Sequence, residues 1–415
     1  MSVVPASTKR LELLLFGGTL LLYIAVTLVA NRPDLIWDEG RYLAFARNLT
    51  QGFYADPKNA DIINGPGYPL LLAVLLMVKA PLIGLRMVNA LFMALAAWFS
   101  FRAVKPYAGP RWALGVALIT ALHPNLARTA PYLMTEALAV CCIAGFAWSF
   151  SAALRPEKAN WLMMIGAAVV FASLTMTRVF FGNVIMASVP FLVLSALLVK
   201  RERGRILRAL TVMLVSFGLC VPWLAYTKDK TGENLCWSTV GGELLYWMTS
   251  THEGENGHWF SVEDAQTKPE LVAHHRELYL PYYELPVKER EERFKQLAAE
   301  QLKANPAGVF KNWICNWGRL IIGHPRSFER MDVTAIVLLV INGPIVLALL
   351  WASVVALRRW REVPPEIWVI GLLSFIYIGG SSVAPGLPRY TVVLWPWIGL
   401  GIATMLSKKP EMTPA

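Results

Sequence analysis

The chain has 415 residues, of which 56% are hydrophobic and only 16% charged. Soluble domains carry about a quarter charged residues, so a water-soluble globular protein is excluded. The formal net charge of +11 argues for bilayer orientation rather than nucleic-acid binding, because the lysines and arginines cluster at alternate ends of the apolar segments.

Apolar runs recur from end to end. Each is long enough to cross about 30 Å of hydrocarbon, and in lipid a run of this kind must be helical. Residues 11–30 form the first, preceded by Lys9 and Arg10 and followed by no small-residue cleavage site. They read as an uncleaved helix with a cytoplasmic N-terminus. Residues 31–68 are polar and punctuated by Gly and Pro, as an external loop would be. The run 68–78 is short and ends at Lys79-Ala80-Pro81, which fits a half-buried interfacial helix. Residues 84–101 cross inward to Arg102, Lys105 and Arg111, and 112–131 cross outward. Residues 134–154 return to Arg155 and Lys158, 161–178 go out, and 180–199 come back to the basic run 200–208. Residues 209–226 go out again.

Residues 227–329 are polar and mixed in charge, and form an external loop. Within it, 286–304 has the apolar spacing of an amphipathic helix, with Val287, Phe294, Leu297 and Leu302, and Asn305-Pro306 stops it. Residues 307–322, with Phe310, Trp313 and Trp317, read as a second helix lying in the membrane interface. Residues 331–357 then cross inward to Arg358-Arg359-Trp360-Arg361, 366–383 cross outward, and 391–406 return to Lys408 and Lys409. The expected fold is all-α and polytopic, with about ten transmembrane helices and external juxtamembrane helices. It divides into a membrane module over 1–226, the external loop 227–329 and the C-terminal helices 330–415. Both termini are cytoplasmic in this reading.

The five cysteines show no metal spacing. Cys141, Cys142 and Cys220 fall in apolar segments as packing residues. Cys236 and Cys315 fall in the external loop, where an oxidising compartment permits a disulfide if they are close. His252, His258, His274 and His275 match no zinc signature; no cofactor is required, and a divalent metal stays open.

Ionisable groups at a membrane boundary are costly, and each carries a functional hypothesis. Four such sites lie on the external side. Asp38 and Glu39, in Trp37-Asp38-Glu39-Gly40-Arg41-Tyr42, supply a general base or form a solvated turn. Glu136 opens a helix, where an acid suits the helix dipole and Thr135 suits an N-cap. Arg178 and Arg389, the latter in Pro388-Arg389-Tyr390, hold a phosphate or snorkel to headgroups. Two acids and two arginines at external helix ends suit group transfer from a phosphorylated lipid. The acid takes the acceptor proton and the arginines neutralise the leaving phosphate.

The stretch WDEGRYLAFARNLTQG followed by NGPGYPLLLA resembles the GT-C superfamily of polyprenyl-phosphate-sugar-dependent glycosyltransferases. It is most similar to the aminoarabinose transferases of lipid A and the protein O-mannosyltransferases. YLMTEAL, TMTRVFFG, the helix ending at Asn305-Pro306, and PRYTVVLWP extend the resemblance, in order, over nearly the whole chain. The resemblance implies Asp38 as catalytic base, Glu39 orienting the acceptor or the base, and Glu136 as a second acid. It also implies Arg178 and Arg389 on the lipid phosphate, with Tyr42, Tyr68 and Tyr390 lining the substrate cavity. It further implies inverting transfer of a sugar from a polyprenyl-phosphate carrier to a hydroxyl of a lipid, glycan or protein, at the external face of a bacterial inner membrane. The lipid A enzymes carry an acid and a lysine before the second Gly-Tyr, whereas this chain reads Ile63-Asn64-Gly65-Pro66-Gly67-Tyr68. A phosphate contact is therefore absent and the donor headgroup stays open. The chain stops soon after the last span, without the further external domain of some relatives, so the acceptor stays open too. A transporter or lipid flippase is the alternative from another class, but repeated halves and helices broken at the midplane are not evident. A non-enzymatic scaffold would not need Asp38, Glu136 and Arg178.

Overall fold

A computed structural model of the chain describes residues 6–56, 61–155 and 159–407. Lys158, Lys408, Lys409 and the chain termini lie outside the described residues. Among those described, the regular structure is entirely helical.

The first helix, α1 (Ala6–Ala30), leads into α2 (Glu39–Thr50) and the short apolar α3 (Gly67–Met77). Next comes α4 (Leu82–Leu122), which is two arms rather than one rod. Gly109 takes φ 79°, ψ 175° between Pro106 and Pro110, a conformation that side chains exclude. The arms fold back there, so that Ser100 on one meets Thr120 on the other at 3.4 Å. They correspond to the expected spans 84–101 and 112–131, but the second ends early. His123 adopts extended backbone and α5 (Pro124–Thr129) starts afresh. Pro124 supplies no N–H and disfavours helix at the residue before it.

The bundle continues with α6 (Glu136–Leu154), α7 (Trp161–Thr177), α8 (Phe180–Leu198) and α9 (Arg203–Thr231). It closes with α15 (Val333–Arg358), α16 (Pro365–Ser382), the one-turn α17 (Pro388–Val392) and α18 (Trp395–Leu406). Among the described residues, seven helices are long and apolar enough to cross a membrane, one of them holding both arms of α4. The shorter apolar α7 and α18 complete the set expected from hydropathy. At the core lies α6, with Phe146, Phe150 and Ala144 wholly buried. Trp397 of α18 donates to the Ile143 carbonyl at 2.7 Å and stacks with Phe171 of α7.

At one end of the bundle the basic clusters meet buried acids. Glu12 of α1 accepts Arg102 at 3.0 Å and faces Lys105 at 3.5 Å. Glu366 of α16 pairs with Arg205 of α9 and accepts the Tyr107 hydroxyl at 2.6 Å. The segments 31–56, 61–66 and 232–332 gather at the other end. There α10 (Gly241–Thr249), α11 (Val262–Thr267), α12 (Pro269–Tyr279) and α13 (Val287–Ala304) enclose Tyr246, Trp247, Tyr279 and Phe294. His275 bridges Tyr246 and Glu255 inside this small core, at 2.5 Å and 2.7 Å.

Asn305 caps α14 (Pro306–Ile322) by accepting the Gly308 N–H at 2.9 Å, as the Asn-Pro break suggests. Phe310 and Ile314 of α14 point outward, while Asn316, Arg319 and Leu320 point inward. Cys236 and Cys315 are free thiols. Cys236 lies against the Ser238 carbonyl and Cys315 against Asn256, so the disulfide that the loop permitted does not form.

Candidate active site

The loop between α1 and α2 is fixed from below by one buried ion pair. Arg86 of α4 grips Glu39 with two parallel bonds, Nε to Oε1 at 2.9 Å and Nη2 to Oε2 at 2.8 Å. Both side chains are fully buried. The same guanidinium donates to the carbonyls of Arg32 and Asp34. Glu39 in turn accepts the backbone N–H groups of Ile36 and Leu133. Glu39, expected to orient the acceptor or the base, is therefore saturated by scaffold partners and is not among the residues lining the cavity of Asp38. It ties the 31–38 loop to α4 and to the turn before α6.

That anchoring leaves Asp38 at the N-terminus of α2, where its side chain makes no capping bond. Its carboxylate turns outward instead, accepting Arg41 on Oδ1 at 2.7 Å and Arg389 on Oδ2 at 3.0 Å. Glu136 opens α6 and is buried, while the neighbouring Thr135 side chain makes no cap bond. Glu136 Oε1 accepts Arg178 at 2.8 Å and stands 3.9 Å from Arg389. The folded chain thus brings together Asp38, Glu136, Arg178 and Arg389 from four separate helix ends. Arg389 bridges the two acids. Tyr390 lies beneath both cations, at 5.6 Å from Arg178 and 5.7 Å from Arg389.

Several polar atoms here have no hydrogen-bond partner among the described residues: Glu136 Oε2, Arg178 Nε, Arg389 Nε and Arg41 Nε. Buried polar groups are ordinarily paired, and four that are not lie together in this cluster. Burial works against the charge on Arg389, but Tyr390, Glu136 and Asp38 outweigh it and raise its pKa. Burial, followed by the negative charge of Asp38 and Glu136, pushes the Tyr42 phenol up to about 12. Tyr42 therefore keeps its proton as a donor. Tyr68 stands one layer behind, edge-on to Tyr42 at 5.6 Å, and donates to Asn89 at 3.2 Å.

Two further contacts set the cations. The Asn64–Tyr68 loop presses on the end of α7, which carries Arg178. A Cβ on Gly65 would lie 2.0 Å from the Met176 carbonyl oxygen, and one on Gly67 would lie 2.7 Å from Thr177 Oγ1. Those glycines are required by close backbone approach. On the other side, Asn316 of α14 donates to the carbonyls of Ser382 and Ala384 and accepts the Gly386 N–H at 2.6 Å. It shapes the turn that presents Arg389.

Asp38 and Arg389 line a cavity of about 540 Å³ together with Trp37, Arg128, His258, Arg319 and Arg326. Glu136 and Arg178 adjoin Arg389, Glu136 pairing with Arg178 and standing 3.9 Å from Arg389. Arg41, Arg128 and His258 were not among the expected site residues. Arg41 sits within the quoted Trp-Asp-Glu stretch, and its i, i+3 spacing to Asp38 was the available signal. Arg128 and His258 gave none, since nothing local ties them to Asp38. Among the described residues, no group of three His, Cys, Asp or Glu side chains has the geometry to hold a metal ion.

Residues 64–226 match the family described as dolichyl-phosphate-mannose-protein mannosyltransferase. No curated protein sequence matches the chain. In fold, the chain is similar to the oligosaccharyltransferase AglB from Archaeoglobus fulgidus, solved with an inhibitory peptide and a dolichol-phosphate. The TM-score is 0.53 at 12% identity, over 96% of this chain and 50% of that one. The chain thus spans about half the length of AglB. A second similar structure is ArnT from Cupriavidus metallidurans, bound to undecaprenyl phosphate, with TM-score 0.43 and 15% identity over 97% of this chain and 77% of that one.

Proposed function

We propose that the chain, whose residues 64–226 match the dolichyl-phosphate-mannose-protein mannosyltransferase family, is a GT-C glycosyltransferase that moves a sugar from a polyprenyl-phosphate carrier to an acceptor hydroxyl, with inversion at the anomeric carbon. The observation that carries this reading is the bridge of Arg389 between Asp38 and Glu136, with Arg178 on the far side of Glu136. Three guanidinium groups, counting Arg41, face two carboxylates there. One positive charge is in excess, which matches the single negative charge of a phosphodiester.

The donor phosphate enters between Arg178 and Arg389 and takes N–H groups that now have no partner. Arg389 turns from Asp38 Oδ2 to the phosphate, which frees that oxygen. Asp38 then accepts the proton of the acceptor hydroxyl as its oxygen attacks the anomeric carbon from the face opposite the phosphate. The bond from the anomeric carbon to the phosphate oxygen breaks, and its electron pair leaves on the lipid phosphate. The arginines stabilise the growing charge on that oxygen, so the leaving group needs no proton. Glu136 holds Arg178 in place throughout, and Tyr42 donates to substrate oxygen. The site opens at the face opposite the basic clusters, and the excess of Lys and Arg belongs on the cytoplasmic side. We therefore assign the site to the external face of a bacterial inner membrane.

The test is product chemistry. The purified protein in lipid, given a panel of polyprenyl-phosphate sugars and a membrane extract, should yield a glycoside whose anomeric configuration is opposite to that of the donor. Retention of configuration would contradict the single displacement. Translocation of the intact lipid-linked sugar with no glycoside formed would favour a flippase.

A further inference from the structure

Around the cavity, most charged groups are already matched. Arg326 faces Glu329 and Asp332, each at 3.5 Å. Arg319 is buried and gives its N–H groups to the carbonyls of Asn256, Gly257 and Pro325. Arg319, like Arg128, faces no anion, but it is buried and its N–H groups are taken by those carbonyls, whereas Arg128 is exposed and makes no such bonds among the described residues. Arg128 lines the same cavity as Asp38 and makes no ion pair among the described residues. Its guanidinium is laid over the Trp37 ring at 5.2 Å. A cation–π contact uses the flat face of the group and leaves the edge N–H groups free for a planar or tetrahedral anion.

Trp37 is held in an unusual way. Its φ is +50°, in the left-handed region, which is strained for a bulky side chain. Half of its surface is open. Its ring meets Tyr132 edge-on at 5.3 Å, and Tyr132 carries Arg32 and Arg86 on its own ring, each at 5.6 Å. The Glu39–Arg86 pair that fixes Asp38 therefore also fixes the platform under Arg128.

A third residue on the same cavity wall is His258. Burial first, and then the charge of Arg319, lower its pKa to about 4, so the ring is neutral near pH 7. Its Nδ1 has no hydrogen-bond partner among the described residues.

We propose that Arg128, posed on Trp37 and accompanied by His258, is an acceptor subsite that selects acceptors bearing a negatively charged group, a carboxylate or a phosphate, close to the reacting hydroxyl. The inference rests on the transferase reading, because it needs a second substrate beside Asp38. The donor phosphodiester accounts for the excess charge at Arg178 and Arg389. Among the cations lining the cavity, Arg128 then remains with neither an anion nor carbonyl partners among the described residues, and an acidic acceptor supplies the anion. Arg128 is the specificity-determining group and Trp37 the positioning residue beneath it. His258 takes a hydrogen bond from an acceptor hydroxyl or gives one to it.

The experiment measures binding rather than turnover, so its failure is separable from that of the transferase reading. The full-length protein in lipid nanodiscs is titrated calorimetrically with glucose, glucuronic acid and glucose 6-phosphate. Wild type should bind the two acidic sugars at least about tenfold more tightly than glucose, as a charge-assisted hydrogen-bond pair provides. Arg128→Gln should erase that preference, so that the three sugars bind alike. Arg128→Lys should keep part of it, because the charge stays and the fork is lost. Trp37→Phe should keep more than Trp37→Ala, because a ring face remains. No preference in wild type would overturn the proposal, and so would a preference that survives Arg128→Gln. The second outcome would place the acidic group on Arg389 instead. Gain or loss of the preference leaves the product test of transfer untouched.

Discussion

Asp38 and Glu39 are adjacent in sequence and opposite in role. Glu39 is wholly buried against Arg86, and removing one partner of such a pair leaves an uncompensated buried charge, which costs about 3–5 kcal/mol. Glu39→Gln should therefore lower the thermal midpoint of the detergent-solubilised protein by many degrees and reduce the folded yield. Asp38 is one-fifth exposed and faces the cavity, so Asp38→Asn should leave that midpoint near wild type. Arg389→Gln should reduce kcat/KM by about a hundredfold or more, the effect of removing a preorganised donor from developing charge. A loss confined to KM would mean that Arg389 only binds the donor. The sequence exposes the acids and arginines because ionisable groups beside a bilayer stand out one at a time. It does not expose their division of labour. Arg86 lies 47 positions from Glu39 and Arg389 lies 351 from Asp38, so only the folded chain shows which acid is sealed and which is open.

At the scale of elements, the site depends on close seams between helices and loops. The seam of Gly65 and Gly67 against the end of α7 leaves no room for a methyl group. Gly65→Ala should push the Asn64–Tyr68 loop away and shift Arg178. A displacement of about 1 Å at a reacting group costs about a hundredfold in rate. Transfer should fall while donor binding weakens less, and unchanged turnover would show that the seam does not set Arg178. In the outer helices, Glu291 accepts the Gly242 N–H at 2.6 Å. Burial, opposed by that bond and aided by Glu243, raises its carboxyl from 4.5 to about 7. The folded state thus holds a proton that the unfolded chain releases, and this contribution is full below about pH 4.5 and fades as pH rises to 7. Its size is up to about 3 kcal/mol. Glu291→Gln should become progressively more stable than wild type between pH 5 and 8, followed by thermal unfolding. A stability difference independent of pH would contradict this. The amphipathic α13 and the Asn-Pro break before α14 are visible in the sequence, because period and caps are local. The halt of the second arm of α4 at His123 is marked only by Pro124, inside an otherwise apolar run, and hydropathy passes over it.

For the molecule as a whole, hydropathy and charge place the spans well, since each helix in lipid satisfies its own backbone. The acids that receive the basic clusters, Glu12 and Glu366, lie at the same end of the bundle. The site lies at the other end, and this polarity makes a direct prediction. In cells carrying a Cys315→Ser background, Glu329→Cys at the cavity rim should react with a membrane-impermeant maleimide added outside. Arg359→Cys should react only after the membrane is opened. The reverse pattern would place the chemistry on the cytoplasmic face.

The most direct measurement is the rate of sugar transfer by purified wild type and Asp38→Asn in lipid, with donor binding followed in parallel. We expect the variant to bind the polyprenyl-phosphate sugar, to unfold at the wild-type temperature and to form no product. Equal product from both proteins would remove Asp38 as the base and overturn the assignment of the site.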